Sequence, residues 1–129
     1  MGVKEEAIRL RGCGFNCGQS VLASLRDYTG LEDKTALAIS GGFGGGVRCG
    51  EICGALCGAV MAIGMAFPHT DGGDAAARAN IRALAEECTV RFREEFGCLR
   101  CRDLKANMVN CQTLIERSAQ LAENIILEN

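Results

Sequence analysis

The residues through which this chain can do chemistry are its cysteines. Nine occur: Cys13, Cys17, Cys49, Cys53, Cys57, Cys88, Cys98, Cys101 and Cys111. The count is odd, so a complete disulfide framework leaves one thiol over. The opening residues, Met1 to Glu6, hold no apolar run, and Glu6 stands where a myristoylation signal needs Ser or Thr. A reducing, cytoplasmic setting is therefore expected. In that setting dense cysteine points to metal binding or redox catalysis more than to structural staples.

The most informative stretch is Cys49-Gly50-Glu51-Ile52-Cys53-Gly54-Ala55-Leu56-Cys57-Gly58, in which cysteine recurs every fourth residue and glycine follows each one. The spacing predicts one helix from about Cys49 to Met65. Residues four apart on a helix have Cβ atoms about 5–6 Å apart, wider than the ~3.5–4.5 Å of a relaxed disulfide. Cys49, Cys53 and Cys57 then suit a shared metal, or pairing with cysteines of other segments. Gly50, Gly54 and Gly58 form a second stripe, and each costs about 0.8–1 kcal/mol against alanine in a helix interior. Close approach of another helix, or of a bulky inorganic centre, would account for them.

The remaining thiols come from three other places. Cys13 and Cys17 flank the start of a helix, where exposed amide N–H groups favour a thiolate at Cys17. Cys98-Leu99-Arg100-Cys101 is a CxxC, a spacing used by zinc sites, iron–sulfur sites and dithiol pairs alike. Arg100 and Arg102 flank Cys101 and favour its thiolate too. Cys111 falls on the inner face of the last helix. Cys88 lies on an ordinary core stripe and reads as a packing residue.

The elements that must bring these thiols together are helical. No strand-like alternation of any length occurs, and the chain has a single proline. The expected fold is all-α: a compact bundle of about five to six helices, one domain over residues 1–129, with a central Gly/Cys-rich helix. Helices are expected over Lys4–Arg11, from Cys17 to about Tyr28 with Asn16 as cap, from an Asp33 cap through Ile39, over Cys49–Met65, over Asp74–Phe96, and over Met108–Leu127. Gly30 and Gly97 are natural stops. Along the long helix Ile81, Leu84, Cys88, Phe92 and Phe96 share one stripe.

Composition excludes several function classes. Fourteen Lys plus Arg against sixteen Asp plus Glu give a net charge of −2, with no electrostatic footprint for nucleic acid or an anionic membrane. The uncharged run Ile52–Phe67 is shorter than the roughly 20 residues a bilayer span needs, so the chain is expected not to be membrane-inserted. The run Ser40-Gly41-Gly42-Phe43-Gly44-Gly45-Gly46 lacks the Lys-Ser/Thr of a P-loop and misses GxGxxG at Val47. It reads as a connector whose N–H groups could bind an anion or cluster sulfurs. His69, the single histidine, sits in a turn and reads as a surface or capping residue.

On these residues the chain resembles the C-GCAxxG-C-C family of redox-active proteins. Its CGAxxG motif corresponds to Cys53-Gly54-Ala55-Leu56-Cys57-Gly58, the Phe15-Asn16-Cys17 segment resembles its first cysteine site, Cys101-Arg102-Asp103-Leu104 its third, and Cys111 its fourth. The resemblance spans nearly the whole chain. It implies that Cys17, Cys53, Cys101 and Cys111 are the core set, as redox thiols or metal ligands, and that Cys13, Cys49, Cys57 and Cys98 are additions able to help bind a cofactor. Family members tend to be encoded near transporter genes, which implies a transporter or redox partner protein.

The expected function is thus a cysteine-based redox protein, an oxidoreductase or electron carrier. Its thiolates either ligate an iron–sulfur cluster or another thiophilic metal, or form exchangeable disulfides. The Cys49/Cys53/Cys57 ladder tilts this toward metal. The rival readings are a zinc-stabilised, non-enzymatic binding module and a metal or sulfur carrier. The glycine stripe and the apolar helix suit a homodimer.

Overall fold

The computed structural model describes all 129 residues, Met1 to Asn129. Eight α-helices follow one another: α1 (Val3–Gly12), α2 (Cys17–Ser24), α3 (Arg26–Thr29), α4 (Asp33–Ser40), α5 (Gly54–Ala66), α6 (Ala75–Phe96), α7 (Cys101–Ala106) and α8 (Cys111–Glu128). The all-α expectation holds. The helix count exceeds the expected five to six because the second helix breaks at Leu25 and a short helix forms at Cys101.

Local chemistry sets most boundaries. Asn16 caps α2 by accepting from Gln19 N at 3.0 Å, and Gln19 Oε1 accepts from Asn16 N at 3.0 Å, which closes a capping box. Asp74 caps α6 through Ala77 N, and Asn110 caps α8 through Gln112 N. Gly97, at φ 83°, ends α6 in the left-handed region that a side chain disfavours. The last helix was expected to begin at Met108. That residue stands outside α8 at φ 61° and is 89% exposed.

One apolar cluster of 23 buried residues joins the helices. α5 is its centre, packed against α2, α6 and α8. Glycine lets α5 and α2 approach closely. A Cβ on Gly58 would stand 2.7 Å from Gly18 O and 3.1 Å from Val21 Cβ, and one on Gly54 would meet Phe43 O and the Cys17 sulfur. Gly54 and Gly58 therefore form a helix-packing seam. Outside the core, buried Glu6 ties α1 to α3 by accepting from Arg9 Nε and Arg26 Nη2, both at 2.6 Å. Tyr28 donates to Glu123 at 2.6 Å and ties α3 to α8.

The helix expected from Cys49 starts five residues later. Gly46–Gly50 form a single wide turn, and Val47 (φ 56°) and Arg48 (φ 60°) take left-handed backbone. Such conformations cost on the order of 1–2 kcal/mol each for residues with a Cβ. The chain then runs extended. Ile52 bridges antiparallel to Arg100, with Cys53 N donating to Leu99 O at 2.8 Å and Cys101 N donating to Glu51 O at 2.6 Å. Gly50 (φ 76°) faces Arg102, apart from the glycine seam. Cys49, Cys53 and Cys57 therefore share no helical face, and the ladder argument for a metal falls with it.

Candidate functional site

Four helices begin at one cleft, and each brings a cysteine. Cys17 is the first residue of α2, Cys101 of α7 and Cys111 of α8, while Cys53 immediately precedes α5. All four line a cavity of about 200 Å³. Helix starts present unpaired amide N–H groups and the positive end of the helix dipole, so the cleft favours negative charge on the groups inside it.

The positions follow from the local fold. The capping box fixes the first turn of α2, and the glycine seam lets the Cys17 sulfur rest over Gly54, 2.7 Å from where a Cβ would be. The bridge around Ile52 and Arg100 sets Cys53 beside Cys101. In an antiparallel pair, residues flanking the bridge on the two strands point to the same face. Glu51 reinforces this clip by accepting from Arg100 Nε at 3.1 Å, Arg100 Nη2 at 3.0 Å and Arg102 Nη2 at 3.3 Å. The two arginines expected to favour a Cys101 thiolate are thus engaged by Glu51.

The four thiols differ in exposure. Cys17, Cys101 and Cys111 are half-buried, whereas Cys53 is 3% exposed. Burial pushes the Cys53 thiol up to about 12, only partly offset by the nearby Leu56 and Ala55 amides. Negative charge on Cys17 or Cys101 raises it further. Burial thus favours the neutral thiol at Cys53.

The four additional cysteines stay outside the cleft lining. Cys13 is exposed and accepts from Arg9 Nη1 at 3.9 Å. Cys49 is exposed and donates to Gly46 O at 3.5 Å. Cys98 lies on the extended segment, three residues before Cys101, so strand alternation turns the two toward opposite faces. Cys57 is on α5, and burial, then the charge of Cys17, raises its thiol. Cys88 is fully buried, as expected of a packing residue. His69 takes no part in the cleft.

No group of three or more His, Cys, Asp or Glu side chains is arranged to hold a metal ion. The four thiols share a cavity without being grouped, as placed, around one point.

The family "Putative redox-active protein (C_GCAxxG_C_C)" matches residues 15–125. The chain belongs to this family. The matched span takes in all four cleft cysteines of this C_GCAxxG_C_C protein and omits Cys13. No curated protein and no solved structure matches the chain. No helix is long and apolar enough to cross a membrane.

Sequence reasoning missed the cleft's polar residues Arg11, Arg48 and Lys105 and the clip residue Glu51. Only Glu51 left a signal: it is the single acid between Cys49 and Cys53.

Proposed function

We propose that this protein is a thiol–disulfide redox protein whose working sulfurs are Cys17, Cys53, Cys101 and Cys111. The observation that carries the reading is that four cysteines from four segments line one cavity while the other five do not. Their unequal burial assigns roles. A half-exposed cysteine, Cys17, Cys101 or Cys111, attacks an incoming disulfide as thiolate and forms a mixed disulfide. The S–S bond of the partner breaks, and its second sulfur leaves as a thiolate that takes a proton from water. Where that cysteine is Cys17 or Cys101, capping it removes its negative charge from beside Cys53. The neutral Cys53 thiol then loses its proton more readily and attacks the protein sulfur of the mixed disulfide, releasing the second half of the partner. Two protein thiols are oxidised to one disulfide, and one partner disulfide is reduced to two thiols.

The experiment is reversible oxidation in a defined thiol/disulfide buffer, followed by alkylation and peptide mapping, with elemental analysis of protein purified without oxygen. The expected result is a two-electron transition that links Cys53 to one of the other three. Stoichiometric iron or zinc that protects these four thiols would overturn it in favour of ligation. So would disulfides confined to Cys13, Cys49, Cys57 and Cys98.

A further inference from the structure

We infer that the thiol cleft takes a small anionic disulfide or thiol, one whose sulfur is flanked by carboxylates. This rests on the thiol–disulfide reading and adds the class of substrate. Besides its four cysteines the cleft is lined by Arg11, Arg48 and Lys105, and by no Asp or Glu. The chain as a whole carries sixteen acids against fourteen bases, so the lining reverses the overall charge balance.

These three cations are also unpaired. The chain's ion pairs engage Arg9, Arg26, Arg82, Arg91, Arg100, Arg102 and Arg117, and none engages Arg11, Arg48 or Lys105. Arg11 donates to Phe15 O at 3.3 Å and Arg48 to Gly41 O at 3.3 Å, which leaves most of their five donors free. Next to Cys101, by contrast, Arg100 and Arg102 are held by Glu51. The fold thus neutralises the arginines nearest the CxxC in sequence and leaves free the cations that face the cavity.

The position of Arg48 carries a cost. It follows Val47, and both sit in left-handed backbone. Val47 is 47% exposed, so its packing does not repay the strain. Left-handed residues that bulky side chains disfavour concentrate at binding sites. Here the turn brings Arg48 to the cleft.

The three cations come from three separate elements, α1, the wide turn and α7. Such spacing suits a ligand with charges on more than one arm better than a compact inorganic anion. Leu104 and Leu114 line the cavity as well and offer an apolar wall to methylene groups.

The test uses three disulfides with the same reacting bond and different charge: glutathione disulfide (anionic), hydroxyethyl disulfide (neutral) and cystamine (cationic). Thiol loss at the four cysteines is followed by quenched alkylation and mass spectrometry, with each rate divided by that of a free small thiol. The expected result is a preference for the anionic over the cationic probe on the order of tenfold or more at low salt, diminishing at 0.5 M salt. In Arg48→Gln/Lys105→Gln the ratio of the two rates should collapse toward one. A ratio near one in the unaltered protein, or one that the double variant leaves in place, overturns the inference and assigns the cations to the protein's own thiolates. The neutral probe separates the two levels. If it oxidises the four cysteines while charge has no effect, the redox reading stands and the substrate class falls. If no probe oxidises them, both fall.

Discussion

Replacing Gly58 by alanine tests whether the α2–α5 glycine seam sets the distance between the helices. In an open helix position the change would be favourable, since alanine exceeds glycine by about 0.8–1 kcal/mol in helix propensity. At Gly58 the added Cβ would stand 2.7 Å from Gly18 O, 3.1 Å from Val21 Cβ and 3.3 Å from Leu22 N. Two of those atoms are backbone, which cannot rotate away. Restoring an ordinary contact of about 3.5 Å requires the helices to part by roughly 0.8 Å. Overpacking of this kind costs about 1–3 kcal/mol, so after the propensity gain the net loss is ~0–2 kcal/mol. Gly64 lies two turns further along the same helix, and a Cβ there meets nothing within 4 Å. Gly64→Ala should therefore stabilise by ~0.5–1 kcal/mol. Urea unfolding reads the pair directly: with a slope of about 2 kcal/mol/M, the combined ~0.5–3 kcal/mol should separate the two midpoints by about 0.3–1.5 M, with Gly64→Ala above the parent and Gly58→Ala at or below it. If Gly58→Ala stabilises as much as Gly64→Ala, the seam is not a contact. Gly58→Ala should also slow oxidation of Cys17 relative to Cys101, since α2 carries Cys17.

Acid should weaken the α1–α3 tie in a defined window. Hydrogen bonding to Arg9, opposed by burial and helped by Arg26, holds the Glu6 carboxyl at about 2, below its ordinary 4.5. A depressed carboxyl contributes stability that is full above pH 4.5 and lost as pH falls toward 2. The displacement is worth ~3 kcal/mol before screening; Arg9 is half exposed, which reduces it to ~1–2 kcal/mol. The gap in unfolding free energy between the parent and Glu6→Gln should shrink across that range, and a constant gap would refute the tie. Cys88→Ala should lower stability by ~1 kcal/mol and leave the mapped disulfides unchanged, because Cys88 lies in the core away from the cleft. Altered disulfides in that variant would count against the assignment of the four cleft sulfurs.

The parts of the fold that local chemistry decides were legible in the sequence. Asn16, Gly30, Gly97 and the stripe Leu84, Cys88 and Phe92 did what their types and spacing imply. The start of α5 was not legible. A cysteine every fourth residue imitates helix period, but what shapes residues 45–53 is long-range. Ile52 pairs with Arg100, far along the chain, and Cys101 Cβ packs where a Cβ on Gly46 would stand, 2.7 Å away. Val47 and Arg48 carry no sequence mark of left-handed backbone, since glycine, the usual sign, is absent at both positions.

The same distinction applies to the site. The four cysteines that line the cavity were legible only through the family resemblance, because their own spacings favoured other groupings: a ladder at Cys49, Cys53 and Cys57, and a CxxC at Cys98 and Cys101. What unites Cys17, Cys53, Cys101 and Cys111 is that each stands at the start of a helix, and helix starts are where a chain can point several sulfurs and several amide dipoles at one volume. That arrangement pulls toward charge, while the burial of Cys53 pulls against it. The result is an inequality among the four sulfurs. A dithiol exchanger uses it, because one sulfur must meet the partner as thiolate while the other waits as thiol until the first is capped.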